Sequence, residues 1–191
     1  MEYFGFITGL LYLYWEIRQN NLMWVVGILS ALAYAVVFAQ SGLYAAMMFQ
    51  IYYFIVSIYG IICWHKDKKA MQDTSSAAPI TYRIISLKNT AFSVVACAVI
   101  FAILHWLLER FTGDPMPVMD SIVTTLGIVA TYWLGKSYLH QWLLWVVVNI
   151  LSVYMFISQE LYLTAALYIL YTVCAFYGFL HWKKKGVKIS V

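Results

Sequence analysis

Long apolar runs constrain the fold of this chain more than any other feature of its sequence. Leu22 to Ala39 and Phe92 to Leu108 contain no Asp, Glu, Lys or Arg. Each is long enough, as a helix, to cross the roughly 30 Å of hydrocarbon in a bilayer. Within lipid the backbone must satisfy its own hydrogen bonds, so only helices or a closed barrel are possible. Barrel strands are short and alternate polar with apolar residues. The runs therefore predict an all-α integral membrane protein.

Composition and charge agree with this prediction. Apolar residues make up 64% of the 191 residues and charged residues 10%, whereas soluble domains have about 25% charged residues. The net charge is +4, but the basic residues lie at the ends of apolar runs, where a membrane protein carries them. We therefore expect a lipid bilayer as partner and no nucleic acid.

Turn residues divide the chain into seven predicted transmembrane helices. The breaks include Arg18 to Asn21 and the proline-containing stretch Thr112 to Pro117, since proline removes a backbone donor and stops a helix. The polar stretch Lys66 to Lys88 is predicted to be a loop. The helices are expected at Tyr3–Ile17, Leu22–Ala39, Leu43–Trp64, Asn89–Glu109, Val118–Gly135, Gln141–Ile157 and Leu161–Trp182.

The distribution of Lys and Arg predicts the orientation. With seven spans, one side of the membrane receives all but one of the twelve basic residues, and the other side receives only Arg110. Short cytoplasmic loops carry the excess of positive charge. We therefore expect a cytoplasmic C-terminus and an outside N-terminus. The residues on the basic side are Arg18, Lys66, Lys68, Lys69, Arg83, Lys88, Lys136, Lys183, Lys184, Lys185 and Lys188.

The first three helices resemble the last three at a constant shift of 118 residues. Trp24 aligns with Trp142 at this shift, and Tyr59-Gly60 aligns with Tyr177-Gly178. Because both units carry their basic cluster after the third helix, they share one orientation, and a single inverting helix must lie between them. The sequence thus predicts a 3+1+3 parallel repeat. The first three-helix repeat is expected at residues 1–69, a cytoplasmic loop and linker helix at 70–117, and the second repeat with a basic tail at 118–191. Transporters commonly bind substrate between such repeats.

A polar residue within an apolar helix is a candidate for function. Asn149 lies near the middle of the sixth helix and forms W-x-x-W-x-x-x-N with Trp142 and Trp145. Offsets of three and seven residues place the three side chains on one helical face. Two π faces and an amide suit an aromatic or cationic ring that also carries hydrogen-bonding groups. A place in the interfacial aromatic belt is the alternative for Trp142, and bonding between helices is the alternative for Asn149.

Further candidates lie in other helices. Gln50 and Tyr53 are in the third helix, Tyr34 is in the second, and Tyr168 stands in the second repeat where Gln50 stands in the first. This difference is expected where two repeats share one asymmetric ligand. For Glu16, an ion pair with nearby Arg18 is favoured over a binding role.

Catalytic and cofactor motifs are not evident. The sequence contains no G-x-x-x-x-G-K-[ST] phosphate loop, no paired metal-ligand spacing and no nucleophile with an adjacent base. We therefore expect a protein that is not an enzyme and that uses no cofactor. A membrane enzyme acting on lipid and a scaffold are the weaker alternatives.

One set of residues resembles the Pnu (PnuC-like) family of vitamin transporters. The resemblance covers nearly the whole chain, and W-x-x-W-x-x-x-N is its most specific part. The remaining motifs are Trp24-Val-Val-Gly27, Gly42-Leu43-Tyr44-Ala45, Gln50, Tyr59-Gly60 and Trp64.

The resemblance implies a function as well as a fold. It implies a SWEET-related 3+1+3 core, a homotrimer with one substrate path per protomer, and a multi-pass place in the bacterial plasma membrane. The expected cargo is an unphosphorylated vitamin, nicotinamide riboside or thiamine, that moves by facilitated diffusion and is trapped by a cytoplasmic kinase. Transport of riboflavin, a deoxynucleoside or a sugar is the alternative. Family members often have an acidic residue where Ala46 stands here.

Overall fold

The described part of the chain folds into seven α-helices with one very short parallel β-pair. The computed structural model describes residues 2–40, 44–72, 80–113 and 115–189. The helices are α1 (Glu2–Ile17), α2 (Leu22–Gln40), α3 (Tyr44–Gln72), α4 (Leu87–Phe111), α5 (Pro117–Gly135), α6 (Gln141–Ser158) and α7 (Tyr162–Lys185). Strand β1 (Thr81–Tyr82) pairs with β2 (Val187–Lys188). The predicted all-α architecture and the number of helices agree with the structure.

Local chemistry explains where several helices begin. The Asn20 side chain accepts a hydrogen bond from the Leu22 backbone N–H at 3.0 Å at the start of α2. The Ser86 hydroxyl accepts one from the Asn89 N–H at 3.3 Å at the start of α4. Both bonds satisfy donors that a helix leaves free in its first turn. Pro117 opens α5, where its missing N–H and fixed φ cost nothing.

Helix α3 is longer than the sequence pattern predicted. The predicted loop from Lys66 is wrong in its first part, because α3 continues past Trp64 to Gln72. Lys, Ala and Gln are good helix formers, so the polar end of this helix continues where the apolar run stops. Residues 73–79 of that predicted loop lie outside the described part of the chain.

Lipid is the solvent that this surface requires. Among the described residues, α4, α5, α6 and α7 are long and apolar enough to cross a membrane, and α2 has a shorter apolar run at Leu22–Val36. Large apolar side chains face outward, for example Phe92 at 68% exposure and Val95 at 63% on α4. Helical backbones satisfy their own hydrogen bonds in hydrocarbon, so the structure is that of a multi-pass membrane protein.

Two tryptophan pairs form matching contacts in the two three-helix segments, α1–α3 and α5–α7. Trp24 packs edge-on against Trp64 with ring centroids 5.2 Å apart, and Trp142 packs edge-on against Trp182 at 5.5 Å. All four rings are fully buried. A glycine makes room for each pair, because a Cβ at Gly178 would lie 2.6 Å from the Trp142 ring, and Gly60 adjoins Trp24 in the same way.

The same tryptophans tie the two segments together. The Trp64 indole N–H donates to the Leu134 carbonyl at the end of α5, at 3.1 Å. The Trp182 indole N–H donates to the Ile17 carbonyl at the end of α1, at 2.9 Å. The final carbonyls of a helix have no partner within that helix. The third helix of each segment therefore satisfies a carbonyl at the end of the first helix of the other.

A buried polar cluster lies at the end of the bundle that carries the basic residues, which we call the basic end. The Gln19 amide donates to the Thr81 carbonyl at 2.9 Å and to the Ser137 hydroxyl at 3.2 Å. The Thr81 N–H donates back to Gln19 at 2.7 Å. Gln19 and Ser137 both have positive φ, at 51° and 57°. Two residues 118 positions apart thus contact each other in the same backbone conformation.

An ion pair extends this cluster. The Arg83 guanidinium donates two hydrogen bonds to the Asp67 carboxylate, at 2.6 and 2.7 Å, and the Ser137 hydroxyl donates to Asp67 at 3.1 Å. The hydrogen bonds to Asp67 raise the pKa of Arg83. This bidentate geometry is the strong form of the Arg–carboxylate pair. The cluster joins the ends of α1, α3 and α5 to the segment before α4.

Candidate functional site

The predicted face of α6 forms one wall of a cavity. Trp142, Trp145 and Asn149 face a space of about 200 Å³ between α1, α6 and α7, which we call the α6–α7 cavity. Trp142 is fully buried and Asn149 is 5% exposed. The cavity is lined by Gly9, Tyr12, Leu13, Glu16, Trp142, Trp145, Asn149, Tyr168, Tyr171 and Ala175.

Polar atoms on this wall are left without partners. The indole N–H groups of Trp142 and Trp145 are buried and donate no hydrogen bond. Asn149 makes no side-chain hydrogen bond to any other described residue, although Ser152, one turn further along α6, donates to the Val148 carbonyl at 2.9 Å. A buried polar group without a partner costs free energy. These groups are therefore available to a ligand.

Among the other predicted residues, Tyr168 also lines the α6–α7 cavity, and three line a second, adjoining cavity. Gln50, Tyr53 and Tyr34 face a space of about 410 Å³, which we call the α2–α3 cavity. Tyr34 is 57% exposed. Tyr12 and Trp145 belong to both walls, so the two spaces meet at these side chains. Together they fall within the roughly 300–1,000 Å³ of small-molecule sites.

Equivalent positions of the two three-helix segments line the two cavities. Six residues of the α2–α3 cavity lie 118 positions before six residues of the α6–α7 cavity. Two of these pairs, Trp24 with Trp142 and Tyr53 with Tyr171, are identical residues. The other four pairs differ in size or polarity, so the two cavities have different linings. The pairs are Trp24 and Trp142, Gly27 and Trp145, Ala31 and Asn149, Gln50 and Tyr168, Tyr53 and Tyr171, and Ser57 and Ala175.

Glu16 corrects one prediction. The favoured ion pair with Arg18 is not formed. The Arg18 guanidinium instead lies 4.5 Å above the Tyr14 ring, and Glu16 is 4% exposed and lines the α6–α7 cavity. Glu16 lies in the last turn of α1 and Arg18 just after it, and residues two apart do not share a helical face. Glu16 therefore joins the candidate site.

The sequence pattern also gave no signal for several small and aromatic wall residues. Tyr12 lines both cavities, and Gly9 lets the Tyr171 hydroxyl approach α1, since a Cβ at position 9 would overlap that oxygen. Neither residue belongs to a polar motif. Only the packing of α1 against α7 brings them to the site.

The charge of the two walls is one-sided. Glu16 is the only charged residue among the lining residues of either cavity, and no Lys or Arg is among them. Lys136 lies outside both walls, with its ammonium group 5.5 Å from the Tyr59 ring centroid. The arrangement suits a neutral or positively charged ring compound and disfavours an anion.

A family model of nicotinamide mononucleotide transporters matches residues 1–184. The chain belongs to this family. It is 26% identical over 206 residues to the nicotinamide riboside transporter PnuC of Escherichia coli (strain K12), which covers 95% of this chain and 84% of that protein. The PnuC of Neisseria mucosa is 28% identical over 189 residues, covering 93% of this chain and 70% of the relative.

The fold has a counterpart of known structure. The crystal structure of the vitamin B3 transporter PnuC superposes with a TM-score of 0.66 at 21% identity, covering 94% of this chain and 78% of that one. The predicted membership of the Pnu family is thus confirmed, and the chain is a membrane transport protein rather than an enzyme.

Proposed function

We propose that this protein carries an unphosphorylated vitamin with a cationic aromatic ring across the bacterial plasma membrane, with nicotinamide riboside as first candidate and thiamine as second. The wall of the α6–α7 cavity carries the proposal. It combines the π faces of Trp142 and Trp145 with the Asn149 amide and the Glu16 carboxyl group. Indole faces attract cationic rings, and an amide bonds to hydroxyl groups. Relatives named for nicotinamide riboside transport support the first candidate.

The same wall argues against the nucleotide for which the family is named. A phosphate group needs Arg, Lys or converging backbone N–H groups, and neither cavity is lined by a basic side chain. An unpaired phosphate in a largely apolar cavity carries a high desolvation cost. The riboside lacks this group.

A binding titration on the purified protein tests the proposal. The ligands are nicotinamide riboside, nicotinamide mononucleotide, thiamine, riboflavin, a deoxynucleoside and a sugar. We expect the riboside to bind at least about tenfold more tightly than the mononucleotide. A difference of about 1.4 kcal/mol in binding free energy, caused by the unpaired phosphate charge, is enough for that ratio of Kd values. Tighter binding of the mononucleotide would refute the proposal, and binding of the sugar alone would support a SWEET-like carrier instead.

We also propose the 3+1+3 parallel repeat with α4 as the linker helix and a cytoplasmic basic end. The support comes from the six equivalent pairs of cavity residues, the exchanged bonds of Trp64 and Trp182, and the contact of Gln19 with Ser137. The location of nearly all Lys and Arg at one end supports the orientation. A Cys introduced near Arg83 should react only with reagents that reach the cytoplasm, and labelling in intact cells from outside would contradict it.

Transport is proposed to be facilitated diffusion followed by metabolic trapping by a cytoplasmic kinase. The motivation is that Glu16 is the only carboxylate among the lining residues of the two cavities, whereas proton-coupled carriers use chains of titratable groups. In liposomes we expect the riboside to equilibrate without accumulating when a proton or sodium gradient is applied. Uphill accumulation of unmodified riboside would show coupling.

The family likeness leads us to propose a homotrimer with a complete path in each protomer. Both cavities are lined by residues of one chain, so assembly is not needed to complete the site. Native mass spectrometry in detergent is expected to show three copies. A monomer with full riboside affinity would remove the trimer from the proposal and leave the site unchanged.

A further inference from the structure

Glu16 is a buried carboxyl group that forms no ion pair with any other described residue. It lies on the last turn of α1, is 4% exposed and lines the α6–α7 cavity. Its Oε1 atom is buried and accepts no hydrogen bond. The ionised form of such a group is strongly disfavoured unless a cation or several donors compensate it.

The basic side chains near this end have other partners. The Arg18 guanidinium lies over Tyr14, Arg83 is paired with Asp67, and the Lys68 ammonium donates to the Gln19 carbonyl at 2.8 Å. Within the described residues, no Lys, Arg or His forms an ion pair with Glu16.

The groups beside Glu16 are also unsatisfied. Gln141 is fully buried, and its side chain approaches the Glu16 carboxyl group as a weak donor without reaching good hydrogen-bond geometry. The Trp142 indole N–H is unsatisfied in the same way. The Glu16 Oε1 atom and the Trp142 indole N–H thus lie at one end of the cavity without a hydrogen-bond partner, and the Gln141 amide lies beside them.

The opposite end of the cavity has a different chemistry. Asn149 is seven residues beyond Trp142 on α6, or about 10 Å along the axis at 1.5 Å per residue. Trp145 lies between them and presents its ring to the cavity. A ligand that reaches both ends meets the carboxyl group first, then an indole, then an amide.

We propose that Glu16 is the counter-charge that selects a cationic ring in this cavity. The ring lies near Glu16 and against Trp145, and a hydroxyl-bearing part of the same ligand reaches Asn149. The inference rests on the proposed function, and it assigns to Glu16 the preference for a positive ring over a neutral ring of equal shape. An ion pair formed on binding supplies the compensation that the empty cavity lacks.

Nicotinamide riboside and its dihydro form provide a matched pair of probes. They share the sugar, the carboxamide and nearly the same ring, and only the oxidised form is positively charged. In the unaltered protein we expect the oxidised, cationic form to bind at least about tenfold more tightly than the neutral dihydro form. An interaction with a charged group commonly contributes a factor of this size to affinity. In Glu16→Gln, which keeps the shape and removes the charge, the two forms should bind within about twofold of each other. Affinity for the dihydro form should be nearly unchanged.

Control variants separate the effect of the Glu16 charge from the effect of losing any acidic residue. Glu160→Gln removes an acid that is exposed and outside both cavities, and it should retain the unaltered preference. Glu16→Asp keeps a carboxylate and should retain part of it. A melting curve of each variant verifies folding.

The possible results separate failure of the Glu16 proposal from failure of the proposed function. If the unaltered protein binds both forms equally, or if Glu16→Gln keeps the full preference for the cation, Glu16 is not the selecting group, and the proposed function still stands. The first of these results needs no variant, so the inference is testable even if Glu16→Gln does not fold. If the unaltered protein binds neither form of the riboside and no thiamine, the proposed function itself fails.

Discussion

Replacing Asn149 with leucine separates a binding role from a structural one. The amide is 5% exposed, faces the α6–α7 cavity and makes no hydrogen bond to another described residue. Its loss should therefore leave the empty protein as stable as before, or more stable, because no bond is broken and a buried polar group is removed. Binding of nicotinamide riboside should weaken by about 1–3 kcal/mol, the cost of a missing buried partner, or about 5- to 150-fold in Kd.

The assay measures the melting temperature and the Kd of the same preparation. Ser152→Ala is the matched control, since Ser152 is also buried on α6 but its hydroxyl bonds to the Val148 carbonyl. This control should leave riboside affinity unchanged. If Asn149→Leu lowers the melting temperature of the ligand-free protein and the folded fraction binds normally, Asn149 joins helices and the site argument is refuted.

Three further perturbations test the surrounding structure. In Gly178→Ala, a Cβ 2.6 Å from the buried Trp142 ring should lower stability by about 1–3 kcal/mol and also weaken riboside binding; unchanged melting and affinity would contradict the packing described. Asp67→Asn leaves the Arg83 guanidinium without its carboxylate, and because Arg83 is partly exposed we expect about 1–3 kcal/mol of lost stability, detected as a lower melting temperature. Burial lowers the pKa of His140, so the imidazole is protonated more readily in the unfolded chain than in the folded protein as the pH falls below about 6.5. The free energy of unfolding should therefore decrease as the pH is lowered through that range, and His140→Gln should reduce this pH dependence.

The sequence predicted the candidate site correctly where all the residues concerned lie on one helix. The spacing of Trp142, Trp145 and Asn149 alone places the three on one face, because 3.6 residues make a turn. The structure places all three on the wall of one cavity. The helix ends were also predictable to a few residues, except at α3, where helix-forming polar residues continue beyond the apolar run.

What the sequence could not supply was contact between distant elements. Glu16 stands two residues from Arg18, which suggested an ion pair, but the packing of α1 against α7 turns the carboxyl group into the cavity. The pairing of Thr81 with Val187 joins two strands of two residues each, which is too short for any alternating pattern to predict. Gln50 and Tyr53 were predicted as binding residues, and the structure places them in the adjoining α2–α3 cavity, which shares Tyr12 and Trp145 with the α6–α7 cavity.

The exchanged bonds of Trp64 and Trp182 bear on how the basic end can open. Each indole holds a terminal carbonyl of the other segment, at Leu134 and Ile17. If the two segments rotate apart there, both bonds lengthen together, and the Leu134 carbonyl keeps its bond from the Ser137 N–H at 2.9 Å. Losing the pair costs about 1–3 kcal/mol at the usual net value per bond. We therefore expect the two bonds to break as a pair, which favours two distinct states at this end over a continuous loosening.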